Sequence, residues 1–193
     1  AVLARARRSP DDLRSAAGLN DEARIDDLLG SDGLLADGAD AGMAFTAPID
    51  AFPPRTGPIT DQLTIDESLT WASRNGALAA MDRLVAAGAD VNANPYRGTA
   101  LLWAVYSDRV EAARWLLDHG AEPSLRHDFG GAEHGHQATA LHLAAQFGAL
   151  GCLDLLLDAG ADPTIRDGAF NGTPRDWAEH NGQQAAVDRF DRS

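Results

Sequence analysis

The chain has 193 residues, 45% of them hydrophobic, which is enough for one compact domain or a short solenoid with a real core. Its 16 cations are all arginine and face 29 carboxylates; a formal net charge of −13 argues against nucleic acid as the main partner, because phosphate neutralisation needs clustered Lys and Arg. The single cysteine, Cys152, excludes an internal disulfide and fits a reducing, cytoplasmic setting, and no run of about 18 apolar residues predicts a membrane span. The lack of lysine beside abundant Ala, Gly and Asp points to a GC-rich bacterial genome, and a start at Ala1 rather than Met suggests a processed or trimmed chain.

Residues 1–8 are rich in Ala and Arg and read as the end of a helix. Ser9-Pro10-Asp11-Asp12 then supplies a helix-start signal, with Pro at the first helical position. Leu13, Ala16 and Ala17, followed by Ile25, Leu28 and Leu29, predict a degenerate helix pair over 10–32 with Asn20 at its turn. Between residues 33 and 65 the pattern breaks down. Pro48, Pro53, Pro54 and Pro58 cannot sit inside helices, so this stretch reads as an inserted loop. Its apolar members Met43, Phe45, Ile49 and Phe52 favour a strap packed on the helices over a floppy linker.

From there the chain repeats one design. The segments 66–94, 95–125 and 139–167 each carry a small-residue helix, a turn, a Leu-rich helix and a glycine exit. The exit glycines Gly88, Gly120 and Gly160 are unequally spaced. The excess falls in residues 126–138, an enlarged finger. Residues 168–193 contain Thr173-Pro174-Arg175-Asp176-Trp177-Ala178 but lack the apolar exit, as a capping unit requires.

The run Thr139-Ala140-Leu141-His142-Leu143-Ala144-Ala145-Gln146-Phe147-Gly148, with Leu155-Leu156-Leu157-Asp158-Ala159-Gly160-Ala161-Asp162-Pro163 after it, resembles one ankyrin repeat. The resemblance implies an all-α ankyrin-repeat solenoid, one domain over 1–193, whose units are stable only when stacked. Asp108 replaces the turn glycine in one unit; Asp tolerates the left-handed conformation better than most residues. By the same resemblance His142 ties neighbouring loops together and is not a catalyst.

Chemistry is sparse. His127, His134 and His136 lie in the Gly-rich finger with Asp128 and Glu133, a partial ligand set for Zn, Ni or Fe. Short His-rich tracts are unspecific, and a flexible loop gives such ligands little support, so a solvated loop is the leading alternative and no cofactor is expected. Cys152 falls on the core side of a second helix, where a thiol is structural. His119, just before an exit glycine, has no evident role. No GxSxG, P-loop, GxGxxG, HExxH or CxxC pair occurs, so no catalytic residue is assigned. Asn171-Gly172-Thr173 matches a glycosylation sequon but coincides with a turn.

The aromatic residues say more. Trp71, Trp103 and Trp177 recur at one position of three units. The outward positions that follow hold Arg74, Tyr106, Gln146, Phe147 and His180, and the fingers add Tyr96, Arg97 and Phe170. In ankyrin proteins these places line a concave groove, and Tyr, Trp, Phe and Arg are the side chains enriched at binding hot spots. The tryptophans could equally be packing between units. The resulting expectation is a non-catalytic module that binds a protein or peptide in the groove, with no nucleic-acid or membrane partner. The alternative is a small-molecule or catalytic pocket where the 33–64 loop meets the groove and the His-rich finger, with or without a metal.

Overall fold

The computed structural model describes residues 12–30, 35–36, 58–95, 97–127 and 136–192. Ten helices lie among them: α1 Leu13–Gly18, α2 Glu22–Leu28, α3 Asp61–Asn75, α4 Leu78–Ala86, α5 Ala100–Tyr106, α6 Val110–Asp118, α7 Ala140–Phe147, α8 Leu150–Asp158, α9 Pro174–His180 and α10 Gln184–Phe190. The only β pairing among the described residues is two isolated bridges, Leu29 with Leu35 and His127 with Ala138.

The helices come in pairs, and the pairs stack. The first members form one row, α1 on α3, α3 on α5, α5 on α7 and α7 on α9. The second members pack behind them, α2 on α4 and α6 on α8 on α10. Alanines let the rows approach closely: Ala16, Ala17, Ala72, Ala104, Ala144, Ala145 and Ala178 are fully buried, and Leu84, Leu116 and Leu156 fill the space between rows. No single pair could bury these faces alone, so folding is a property of the stack.

Each pair turns through a left-handed residue: Asn20 (φ 57°), Gly76 (φ 72°), Asp108 (φ 50°), Gly148 (φ 65°) and Gly182 (φ 69°). Asn and Asp can replace Gly here because a short polar side chain tolerates this conformation. Asn20 gains a second use, since its side-chain oxygen accepts the Ala80 N–H at 2.9 Å and so caps α4 of the next pair, whose own N-cap residue offers no side-chain bond. The exit loops are laced in the same way. Asn92 donates to the Gly120 carbonyl at 3.0 Å and accepts from the Glu122 N–H at 2.8 Å, and Ser124 accepts from the Asp162 N–H at 2.9 Å.

Two boundaries differ from the sequence expectation. Helix α3 starts at Asp61, so residues 61–65 are helical and the insertion ends before them. Thr60 caps this helix by accepting the Leu63 N–H at 3.2 Å, and the added turns bury Thr64 and Ile65. Their polar sequence hides the helix, because Thr64 and Ser68 satisfy their hydroxyls on carbonyls one turn back at 3.1 and 2.7 Å. At the other boundary, Asp12 caps α1, accepting the Ser15 N–H at 2.8 Å, so the helix starts at Leu13. Ser9, Pro10, Met43, Phe45, Ile49 and Phe52 lie outside the described residues, as do Tyr96 and His134.

Arg14 of α1 forms a buried ion pair with Glu67 of α3, its Nε donating to Glu67 Oε2 at 2.6 Å. This pair fastens the first helix pair to the second.

Candidate functional site

Along the row of first helices runs a ladder of rings. Trp71 and Arg74 stand three residues apart on α3, and Trp103 and Tyr106 three apart on α5, a spacing that puts both members of each pair on one helix face. The Arg74 guanidinium lies 5.7 Å from the Trp71 ring, 5.0 Å from the Trp103 ring and 5.9 Å from the Tyr106 ring. Trp103 meets Tyr106 edge to face at 5.6 Å, and Tyr106 meets Phe147 of α7 at 5.3 Å with an interplanar angle of 88°. Trp103 is only 9% exposed and forms the floor, whereas Tyr106 and Phe147 are 38% and 49% exposed. Three consecutive units thus present one continuous aromatic and cationic surface.

Beyond Phe147 the surface opens into a cleft of about 570 Å³ lined by Gln146, Phe170, Asn171, Gly172, Asp176, Trp177, His180 and Asn181. Trp177 is 7% exposed and makes its floor, while Phe170, 68% exposed, stands on its rim with ring centroids 6.4 Å apart. Asp167 builds this wall. Its Oδ1 accepts the N–H groups of Ala169 and Phe170 at 2.8 and 2.7 Å, and its Oδ2 accepts those of Gly172 and the Trp177 indole at 2.8 and 2.9 Å. Burial alone would raise its pKa, but these four donors outweigh it and hold the carboxyl below its ordinary range. Asp167 was not singled out in the sequence; the signal that marks it is an Asp opening a Gly- and Asn-containing turn, where its side chain closes on downstream N–H groups.

His142 does what the family resemblance implies. Its Nδ1 accepts the Thr139 N–H at 3.1 Å, which leaves Nε2 to donate to the Gly172 carbonyl of the next unit at 3.2 Å. Burial is the main cause of its lowered pKa, so the imidazole is neutral. Its ring also meets Trp177 edge to face at 5.2 Å. Cys152 is fully buried, and burial followed by the charge of Asp108 pushes its thiol up to about 12, far from a nucleophile's range. His119 is exposed and stacks on Trp115 at 3.7 Å.

Of the remaining sequence candidates, the half-buried Gln146 and the exposed His180 meet at the cleft with Phe170 and Trp177, and Arg97 is half-buried with a left-handed backbone, φ 66°. The His127 N–H pairs with the Ala138 carbonyl at 2.7 Å, closing the base of the finger with its side chain buried. The His136 carbonyl accepts the Gly168 N–H at 2.7 Å. Among the described residues no group of three or more His, Cys, Asp or Glu is placed to hold a metal, and no helix is long and apolar enough to cross a membrane.

Comparison with known proteins matches residues 69–167 to the family of ankyrin repeats, in three copies. Palmitoyltransferase Hip14 of Drosophila melanogaster is 37% identical over 115 residues, 59% of this chain and 17% of that protein. Ankyrin repeat and KH domain-containing protein mask-1 of Caenorhabditis elegans is 32% identical over 106 residues, 55% of this chain and 4% of that protein. Cyclin-dependent kinase 4 inhibitor B of Homo sapiens is 33% identical over 119 residues, 62% of this chain and 81% of that protein. The chain therefore spans only a small part of the first two relatives and most of the third. With three family repeats over residues 69–167, and the same helix-turn-helix stack in its structure, the chain belongs to the ankyrin repeat family.

Proposed function

We propose that the chain is a non-catalytic recognition module that holds a protein or peptide segment against the row of first helices, in the cytoplasm. Ankyrin repeats generally mediate contacts between proteins, and one relative most of whose length the chain spans is named as an inhibitor of a cyclin-dependent kinase. The observation that carries the proposal is the ladder from Trp71 to Phe147, in which the buried Trp103 backs the exposed Tyr106 and Tyr106 meets the exposed Phe147. Rigid aromatic side chains of this kind supply contact area at low cost in conformational entropy. We further propose that the helix pairs outside 69–167, α1/α2 and α9/α10, serve as the end units of the stack.

The test is affinity capture from native cell extract with the wild-type chain and with Tyr106→Ala/Phe147→Ala. Loss of a captured protein in the double variant, with its thermal unfolding little changed, supports the proposal. Equal capture by both proteins overturns it.

A small-molecule site is a second reading, favoured by the 570 Å³ cleft at Trp177 and Phe170. The cleft is lined by the last unit and Gln146; most of the 33–64 loop and of the His-rich finger, on which the pocket expected from sequence draws, lies outside the described residues. A fragment screen that shifts the indole signals of Trp177 supports it; a cleft that takes no fragment removes it.

A further inference from the structure

Many of the described guanidinium groups pair with carboxylates: Arg14 with Glu67, Arg83 with Glu22 and Asp26, Arg175 with Glu179 and Asp191, Arg189 with Asp154. Others donate to carbonyls, Arg126 to that of Arg166 and Arg192 to that of Asp188; Arg74 is held by rings instead. In a chain with 29 acidic and 16 basic residues such pairing is easy to find. Arg74 makes none among the described residues. Its guanidinium is half-buried and enclosed by three rings, and its side chain forms no hydrogen bond or ion pair there. Contacts to ring faces satisfy the charge through the ring quadrupoles and leave the in-plane N–H donors unused. A second arginine stands at the same edge: the Arg109 Nε donates to the Arg74 carbonyl at 3.3 Å, and its guanidinium is exposed with no carboxylate on it among the described residues.

We propose that Arg74 is a carboxylate-binding subsite on the ladder, and that the segment bound there is a peptide carrying Asp or Glu close to an apolar residue. The proposal rests on the recognition function above and adds the chemistry of the partner. The acid takes the N–H fork of Arg74, supported by the charge of Arg109, and the apolar side chain covers Tyr106 and Phe147. Arginine suits this role because its planar fork matches a carboxylate in two parallel bonds, and three rings hold the fork in place before the ligand arrives. The distances fit an extended chain. The Tyr106 ring is 5.9 Å from the guanidinium and the Phe147 ring 5.3 Å from that of Tyr106, so at ~3.3 Å per residue about two residues reach Tyr106 and about three to four at most reach Phe147. The chain's overall charge would steer basic partners toward it; the local pair of arginines selects an acid at this one place.

Random-peptide phage display against the full chain, followed by affinity measurement on synthetic peptides, tests this. The expected result is enrichment of peptides with Asp or Glu about two to four residues from an aromatic or aliphatic residue. Replacing that acid by its amide in the peptide should lower affinity about tenfold or more, the scale of a hydrogen bond to a charged group. Arg74→Gln should cause the same loss and erase the difference between acid and amide peptides, while Tyr106→Ala/Phe147→Ala weakens both peptides alike. Selected peptides that need Tyr106 and Phe147 but carry no acid, or bind Arg74→Gln unchanged, would overturn the carboxylate subsite and leave the recognition face standing. Peptides indifferent to all three side chains, or no enrichment at all, would overturn both. If Arg74→Gln fails to fold, the acid and amide peptides on the wild-type chain decide: equal affinity overturns the subsite and a tenfold gap supports it.

Discussion

The Trp177 indole donates to the buried carboxylate of Asp167 at 2.9 Å, and that one carboxylate also gathers three backbone N–H groups from the turn that carries Phe170. The cleft wall is therefore held by a single charge. Asp167→Asn removes the charge and places an N–H where an acceptor is needed. It should destabilise the protein by about 2 kcal/mol, read from urea unfolding, since hydrogen bonds to charged groups contribute about 1.5–3 kcal/mol each and part of the network survives. The carboxyl titrates below its ordinary range in the folded chain. Its stabilising effect is thus fully present above the unfolded pKa of about 3.9 and fades as pH falls through the folded value. The acid limb of the stability curve should flatten in Asp167→Asn; an unchanged limb would show that the carboxylate is not what holds the turn.

His142 predicts a second, higher pH dependence. Its pKa lies below the ordinary 6.5, chiefly because the ring is buried. The neutral ring accepts from Thr139 and donates to Gly172, and protonation would put a proton on Nδ1 against the Thr139 N–H. The stability it contributes is complete above about pH 6.5 and is lost as pH falls toward the folded pKa. Long-range nitrogen–proton spectra of the ring should show the Nε2–H tautomer at neutral pH. His142→Ala should cost about 2 kcal/mol and remove this part of the pH dependence.

The Arg14–Glu67 pair joins the first unit to the second with both groups out of water. Breaking one side takes a carboxylate from a buried guanidinium, so Glu67→Ala should cost about 3–5 kcal/mol in chemical unfolding. Replacing both residues, Arg14→Met with Glu67→Leu, should recover most of that loss, because matched apolar side chains do not leave a charge without its partner. A double variant as unstable as the single one would place the cost in packing.

Cys152 should be inert in the native chain. With the thiol fully buried and pushed up to about 12, Ellman's reagent at pH 8 should label it only through unfolding, so labelling should track the unfolded fraction across a urea titration. Rapid labelling without denaturant would mean that α8 opens locally.

Much of the fold is legible in the residue order because a repeat restates its own rules. The left-handed turns at Asn20 and Asp108 follow from the glycines at the equivalent places in the other units, and His142 is recognisable from the Thr-Ala-Leu-His run around it. The start of α3 at Asp61 is not legible, since Thr64 and Ser68 look like loop residues until their hydroxyls are seen on carbonyls of the preceding turn. Nor is Asp167, whose four donors converge only once the turn has closed.

The order of residues by itself determines the period, the turns and the small and large apolar positions, because these depend on backbone conformation and helix spacing within each unit. Only the stacked structure decides which of the recurring aromatics are floor and which are surface. Trp103 is buried and Tyr106 exposed although both sit on α5, because burial is set by the neighbouring units that pack against each ring. The same neighbours hold Arg74 among three rings with its donors turned to no carboxylate of the described chain, a placement that depends on two helices meeting and that neither helix specifies alone.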